Sequence, residues 1–346
     1  MERIGVGIVG YGYAGRKFHA YLIGQEPGLR LCAVASRDAG RRAQAEADRG
    51  VRAYATLDAM LQDETVRLVV IATPHDTHAD LAIRAMEAGR HVVVDKIMCL
   101  NADEAARMIA ARDRCGVLLS VFHNRRWDGD FLTVRQVVSQ GLLGSVYRYE
   151  CAILRHRAPR GWRAEASHAG SILFDWGAHL IDQALLLCGR PESVLCDAVP
   201  DRAWGTSVEG YVCCRIRFSG GALYEAVIGH MAQIGKPRWH VLGDRGALLK
   251  EGLDPQEAAM VAGDIGAAVE SPENRARVVT DVGGLRAEMR VETLKGDWRA
   301  YYRNVAEAVS EGGELAVKPE QVLVAMRVMD GAMRSARTGE VVRLKT

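Results

Sequence analysis

At 346 residues, with 49% hydrophobic and 25% charged side chains, the chain exceeds what one core usually holds, and two domains are expected. A formal charge of +2 without any basic run argues against a nucleic-acid binder that depends on a broad positive field. No stretch of about 18 apolar residues predicts a membrane span, and Met1-Glu2-Arg3 leads straight into an apolar strand, which reads as neither a signal nor a transit peptide. A cytoplasmic location is therefore expected. The eight cysteines form no C-x-x-C pair, as suits buried free thiols in a reducing cytosol.

Short apolar runs alternate with helical patterns through the first third. Strands are expected at Ile4–Val9, Arg30–Ala35, Leu68–Thr73, His91–Val94 and Val117–Phe122. Helices fall between them, for example Gly15–Ile23 and Thr77–Ala88, the latter closed by Gly89. This alternation predicts an α/β class: a Rossmann-type, doubly wound parallel sheet over residues 1–122. Beyond His123 the rhythm changes. A helix at Phe131–Gln140 leads to a long strand around Gly144–Arg157, and a second helix runs from Ser171 to Gly189. Strands follow at Ser193–Ala198, Val208–Phe218, Ala222–Ile228 and Trp239–Leu242. Along Tyr211–Phe218, Val212, Cys214, Ile216 and Phe218 share one face while Arg215 and Arg217 take the other, the mark of a half-covered antiparallel strand. Helices at Trp298–Val309 and Pro319–Ala336 and a strand at Val341–Leu344 close the chain. Glu251–Lys295 reads as a mostly irregular excursion. Residues 123–346 are thus expected to form an α+β domain with an open, mostly antiparallel sheet for substrate binding and oligomerisation.

Gly10-Tyr11-Gly12-Tyr13-Ala14-Gly15 follows the first strand and opens a helix, the context a dinucleotide-binding G-x-G-x-x-G requires. Gly10 allows the tight turn, Gly12 lets a pyrophosphate approach the backbone, and Gly15 lets helix and sheet pack closely. An acid about 20 residues past the glycines would bind the ribose 2′-hydroxyl of NAD. The sequence has Ser36-Arg37 there, with Arg41 and Arg42 one turn on, which suits the 2′-phosphate of NADP. Asp38 comes late and reads as a helix cap. NADP is the expected cofactor, with NAD the alternative.

With these glycines, four further motifs occur in order: Ala72-Thr73-Pro74-His75-Asp76-Thr77-His78, Val94-Asp95-Lys96, Phe122-His123-Asn124-Arg125-Arg126-Trp127-Asp128 and Asp175-Trp176-Gly177-Ala178-His179-Leu180-Ile181-Asp182. In them the chain resembles the glucose–fructose oxidoreductase / inositol dehydrogenase / MocA-type family over essentially its whole length. The His-Asn-Arg-Arg-Trp-Asp string and Lys295–Tyr302 are similar to the NADP-dependent scyllo-inositol dehydrogenase branch. The resemblance implies an enzyme that moves a hydride to or from a secondary alcohol of a cyclitol or sugar, working as a homodimer or homotetramer. It implies cofactor contacts at Thr73, Pro74, His78 and Lys96, the last matching the lysine of the family's Glu-Lys-Pro motif. Asp95 and Ile97 depart from that motif. A cis bond before Ile costs about 2.5–4 kcal/mol, so the loop is either trans or held by other contacts.

Oxidising an alcohol needs a base. Asp175, His179 and Asp182 stand four and three residues apart on one helix face, opposite an expected core stripe of Leu173, Trp176, Leu180, Ala184 and Leu187. A histidine with carboxylates one turn away on either side can be tuned near neutrality. Lys96, at the carboxyl edge of its strand, can polarise the substrate oxygen. His123, Asn124, Arg126 and Trp127 follow the fifth strand and are candidate substrate contacts; Trp162 and Arg163 are further ones. The remaining histidines, His19, His156, His168, His230 and His240, show no ligand spacing, and no metal is expected. The absence of a dense cationic run points to a neutral polyol. Two alternatives stay open: another sugar or amino-sugar as substrate, or a non-catalytic NADP-binding regulator.

Overall fold

The computed structural model describes residues 3–166 and 170–344; Met1, Glu2 and His168, named above, lie outside them. The chain forms two compact units. The first comprises Met1–Asn124, Met260–Asp264 and Trp298–Met326, and the second Arg125–Ala259, Ile265–Asp297 and Arg327–Thr346.

In the first unit, β1 (Ile4–Val9), β2 (Leu29–Ala35), β3 (Arg52–Tyr54), β4 (Leu68–Ile71), β5 (His91–Val94) and β6 (Leu119–Val121) form a parallel sheet in the order β3-β2-β1-β4-β5-β6. The central strands are continuous apolar runs because helices flank both faces; Leu68-Val69-Val70-Ile71 is at most 1% exposed. The strand order reverses between β1 and β4, and ligands of such sheets bind beyond the carboxyl ends at that point. The first helix opens with a π turn, Gly15–His19, and continues as α1 (Ala20–Gly24). Then come α2 (Ala39–Arg49), α3 (Leu57–Leu61), α4 (His78–Glu87) and α5 (Ala102–Cys115). Asp38 caps α2 as expected, its carboxylate accepting the Arg41 N–H at 3.0 Å. Short, polar β3 gave no readable strand signal.

In the second unit, α6 (Gly129–Ser139), β7 (Val146–Leu154) and α7 (Ala178–Cys188) precede β8 (Pro191–Pro200), β9 (Glu209–Phe218), β10 (Leu223–Gly229), β11 (Trp239–Gly243) and β12 (Gly246–Lys250). A helix α8 (Gln256–Ala262) then leads to β13 (Ala276–Val282) and β14 (Leu285–Val291). Helices α9 (Arg299–Glu311) and α10 (Pro319–Thr338) and the short β15 (Val342–Arg343) follow. The nine strands run β14-β13-β12-β11-β7-β10-β9-β8-β15, antiparallel except for β10 on β7. Val212, Cys214, Ile216 and Phe218 are buried as a set, while Arg215 and Arg217 are exposed.

The expected irregular stretch at Glu251–Lys295 is overturned. It holds the whole of α8 and the whole β13–β14 hairpin, which pairs Val282 with Leu285 across Gly283-Gly284. Both glycines have positive φ (63° and 87°), as a two-residue hairpin turn demands. The alternation around them is masked by charge, because Arg277 and Glu288 pair on the exposed face of this edge.

Candidate active site

The glycine loop leaves β1 with Gly10 at φ 94°, its N–H donating to Ala35 O at 2.8 Å. A Cβ on Gly10 would lie 2.4 Å from Ala72 O, so the turns after β1 and β4 pack directly together. A Cβ on Gly15 would lie 2.0 Å from Gly10 O. Gly12 differs: among the described residues, the one neighbour its Cβ would meet within 4 Å is the Arg41 guanidinium, at 3.7 Å. Two glycines therefore serve the protein's own packing, and the middle one leaves its face open for a ligand backed by a cation. This arrangement fits a dinucleotide pyrophosphate.

At the end of β2 the Ser36 N–H donates to Tyr54 O, and Ser36 Oγ accepts the Asp38 N–H at 3.3 Å. Arg42 donates to the carbonyls of Ser36 and Arg37 at 2.7 and 3.0 Å, which braces the turn. Arg37 is exposed. The nearby carboxylate, Asp38, is spent on capping α2.

After β4, Thr73 and Thr77 share a hydroxyl contact at 2.6 Å, and Thr77 donates to Pro74 O at 2.7 Å. His78 is wholly buried, its ring nitrogens 2.9 Å from Thr73 O and 2.7 Å from Ile97 O. It therefore ties the loop after β4 to the loop after β5, and what it does for a cofactor runs through those loops. The Lys96–Ile97 peptide is cis, which resolves the question left by Ile97. Lys96 is half-buried just past β5, its N–H donating to Asp95 Oδ1 at 2.8 Å. His123 and Asn124 follow β6 and are both buried.

In the second unit, a π turn at Leu173–Gly177 carries Asp175 and leads into α7, which carries His179 and Asp182. Asp182 is committed elsewhere: it grips Arg126 through two contacts, 2.6 and 2.8 Å, with both side chains buried. Asp175 Oδ1 lies 3.5 Å from Arg163 Nε, and that guanidinium stacks on Trp162 at 4.6 Å. The Trp162–Arg163 turn is thus joined to the Asp175 end of the helix. His179 is buried, 5% exposed, with the Trp176 ring 6.2 Å away. Trp127 is half-buried, and its carbonyl accepts from Gln256 and from the Asp297 N–H.

The expected core stripe needs correction. Leu173, Leu180 and Ala184 are buried, but Trp176 and Leu187 are only half-buried. The Trp176 ring instead carries two guanidinium groups, Arg125 at 4.5 Å and Arg155 at 4.7 Å from its centre. Arg125 is neutralised by Asp128 and Glu257. Arg155 has no ion-paired carboxylate among the described residues, and burial together with the Arg125 charge lowers its pKa. Sequence reasoning missed Arg155. Its signal was the polar run Arg155-His156-Arg157 closing the apolar strand Cys151–Leu154.

A parallel sheet with a glycine-rich turn at its switch point defines a dinucleotide-binding domain, and the second sheet with its polar helix face completes an oxidoreductase architecture. Residues 4–123 match the model of an oxidoreductase family with an NAD-binding Rossmann fold, and residues 135–344 match that family's C-terminal alpha/beta domain. The chain belongs to this family, which joins glucose–fructose oxidoreductase, inositol dehydrogenase and MocA, and it is an NAD(P)-binding oxidoreductase. It is 30% identical to the scyllo-inositol 2-dehydrogenase (NADP(+)) IolW of Bacillus subtilis strain 168, over 100% of this chain and 97% of that one. It is 35% identical to the oxidoreductase YdgJ of Escherichia coli strain K12, over 97% of each. The solved structure of the Bacillus subtilis oxidoreductase yvaA superposes with a TM-score of 0.93 at 29% identity, covering 99% of both chains. Among the described residues, no helix is long and apolar enough to cross a membrane.

Proposed function

We propose that the chain is an NADP-dependent dehydrogenase that moves a hydride to or from a secondary alcohol of a cyclitol or sugar, with inositols first among its substrates. The observation that carries the cofactor reading is the end of β2, where Ser36 and exposed Arg37 stand ready while the Asp38 carboxylate caps α2. The likeness to an enzyme named for scyllo-inositol and NADP(+) supports the substrate reading. In this reading the dinucleotide supplies hydride chemistry. Gly12 and the turns at Ser36–Arg37 and Thr73–Pro74 orient it, Lys96 polarises the reacting oxygen, and His179 takes its proton with Asp175 as orienting partner. His123, Asn124, Arg126, Trp127, Trp162 and Arg163 form or support the substrate's surroundings, and Arg155 on Trp176 adds a donor for ring hydroxyls.

NADP(H) is expected to bind about tenfold to a hundredfold more tightly than NAD(H), the worth of one charge-assisted contact. Titration of both cofactors tests this: equal or tighter NAD binding sinks it, and Ser36→Asp should erase or reverse the preference. A panel of inositols, sugars and sugar phosphates with both cofactors, followed by nicotinamide absorbance, tests the substrate. Far better turnover of phosphorylated sugars than of any neutral polyol would end this reading.

A homo-oligomer, dimer or tetramer, is proposed from the open face of the nine-stranded sheet. There Arg215, Glu225, Glu150 and His240 lie directly opposite one another across four strands, and Arg148 and Lys236 bridge the two glutamates. Such a polar interface weakens with salt. A monomer in sedimentation at micromolar concentration and low salt would contradict it.

A further inference from the structure

We propose that a chain of three side chains, buried Tyr302 and His19 and half-buried Asp95, positions Lys96 for its reaction; this rests on the role given to Lys96 above. Tyr302 Oη lies 2.7 Å from His19 Nδ1. The other ring nitrogen, Nε2, lies 3.7 Å from Asp95 Oδ1, and that same oxygen accepts the Lys96 N–H at 2.8 Å. Three separate elements meet here: the π turn after the glycine loop, α9 and the end of β5. His19 and Tyr302 are wholly buried, and the Phe122 ring packs 4.5 Å from the imidazole.

The protons in this chain have one consistent arrangement. Burial pushes the Tyr302 phenol well above its ordinary pKa, so its O–H donates to Nδ1. With Nδ1 accepting from Tyr302, a ring proton falls on Nε2, which lies 3.7 Å from the carboxylate. Burial alone would raise the Asp95 pKa, but His19 and then Lys96 and His78 hold it well below the usual carboxylate range. The ionised carboxylate fixes the peptide nitrogen of the residue that carries the reacting amine. Besides His19, Tyr302 and Lys96, His78 from α4 acts on Asp95, and it is itself tied to two loop carbonyls. Burying a histidine and a carboxylate is costly where an apolar pair would pack, and the chain ends on Lys96. A π turn is also a frequent mark of a functional position.

Two adjacent tyrosines supply the test and its control. Tyr302→Phe deletes the oxygen that holds His19, whereas Tyr301→Phe deletes one that donates to Ser120 Oγ at 3.0 Å. Tyr302→Phe should lower kcat by up to about tenfold with NADP affinity held within about twofold, and Tyr301→Phe should leave kcat within about twofold. His19→Ala should lose more, and His19→Gln, which keeps an N–H donor, should recover part. Hydrogen–deuterium exchange of the peptide containing Lys96 should quicken in Tyr302→Phe and His19→Ala but not in Tyr301→Phe. Unchanged kcat and exchange in Tyr302→Phe and His19→Ala would overturn the proposal. So would equal losses in both tyrosine variants, which would mark a general packing role. If the native enzyme turns over no polyol, the reading of Lys96 falls, and the exchange comparison still decides whether the network holds its peptide.

Discussion

His179→Ala is expected to lower kcat about 10²–10⁴-fold while leaving NADP affinity intact, the usual contribution of a general base. The expectation comes from a buried imidazole on α7, next to Trp176 and one turn past Asp175, in the unit that also carries Trp162, Arg163 and Arg155. Lys96→Ala should cost a similar factor. The double variant should lose less than the product of the two, as the proposed action of both groups on one proton requires. Asp175→Asn should be milder: its carboxylate faces Arg163 at 3.5 Å, and the neutral amide keeps its shape. Steady-state and single-turnover kinetics with the substrate found in the polyol panel make the measurement. Near-native kcat in His179→Ala across about pH 6–9 would move the role of base to Lys96. Asp175 and His179 would then serve to hold the substrate.

How far the sequence carried varies with what each feature depends on. Features written in contiguous residues were legible: β1 and β5 end where their apolar runs end, and Asp38 caps α2. So was the change from a parallel to a mostly antiparallel sheet, because strand alternation gives way to half-covered strands such as β9. Features made by residues far apart were not. The carboxylate pair around His179 looked symmetric on a helical wheel, yet Asp182 is drawn to Arg126, 56 residues earlier. Trp176 looked like core and instead carries Arg125 and Arg155, which lie 51 and 21 residues before it. Spacing within one helix cannot reveal a partner on another element. The β13–β14 hairpin was hidden for a different reason. An edge pair alternates charge with small apolar residues, so only Gly283-Gly284 marked it, and in a polar stretch that pair reads equally as loop.

The second large effect is structural and concerns Asp182. Its carboxylate accepts two hydrogen bonds from Arg126 in a region where the side chains are 3% and 7% exposed. Next to it on α7, Gln183 donates to Arg125 O at 2.9 Å, so the helix face beside His179 fastens the Arg125-Arg126 segment through side chain and backbone. Asp182→Asn keeps the shape and removes the charge, leaving a buried guanidinium without its counter-ion. The expected cost is about 3–5 kcal/mol, the range for breaking one side of a buried pair. Urea unfolding followed by tryptophan fluorescence makes the measurement, since Trp127, Trp162, Trp176, Trp204 and Trp239 all belong to the second unit. Replacing both partners by apolar residues of similar volume, Arg126→Met with Asp182→Leu, should cost far less than the sum of the single changes, because neither charge is then stranded. A loss below about 1 kcal/mol in Asp182→Asn would mean that water reaches the guanidinium and that the pair is held at surface strength. In that event Arg126 would be available to substrate hydroxyls and would return to the substrate contacts. A full loss of stability, by contrast, makes the Arg126–Asp182 pair the frame on which His179 is held.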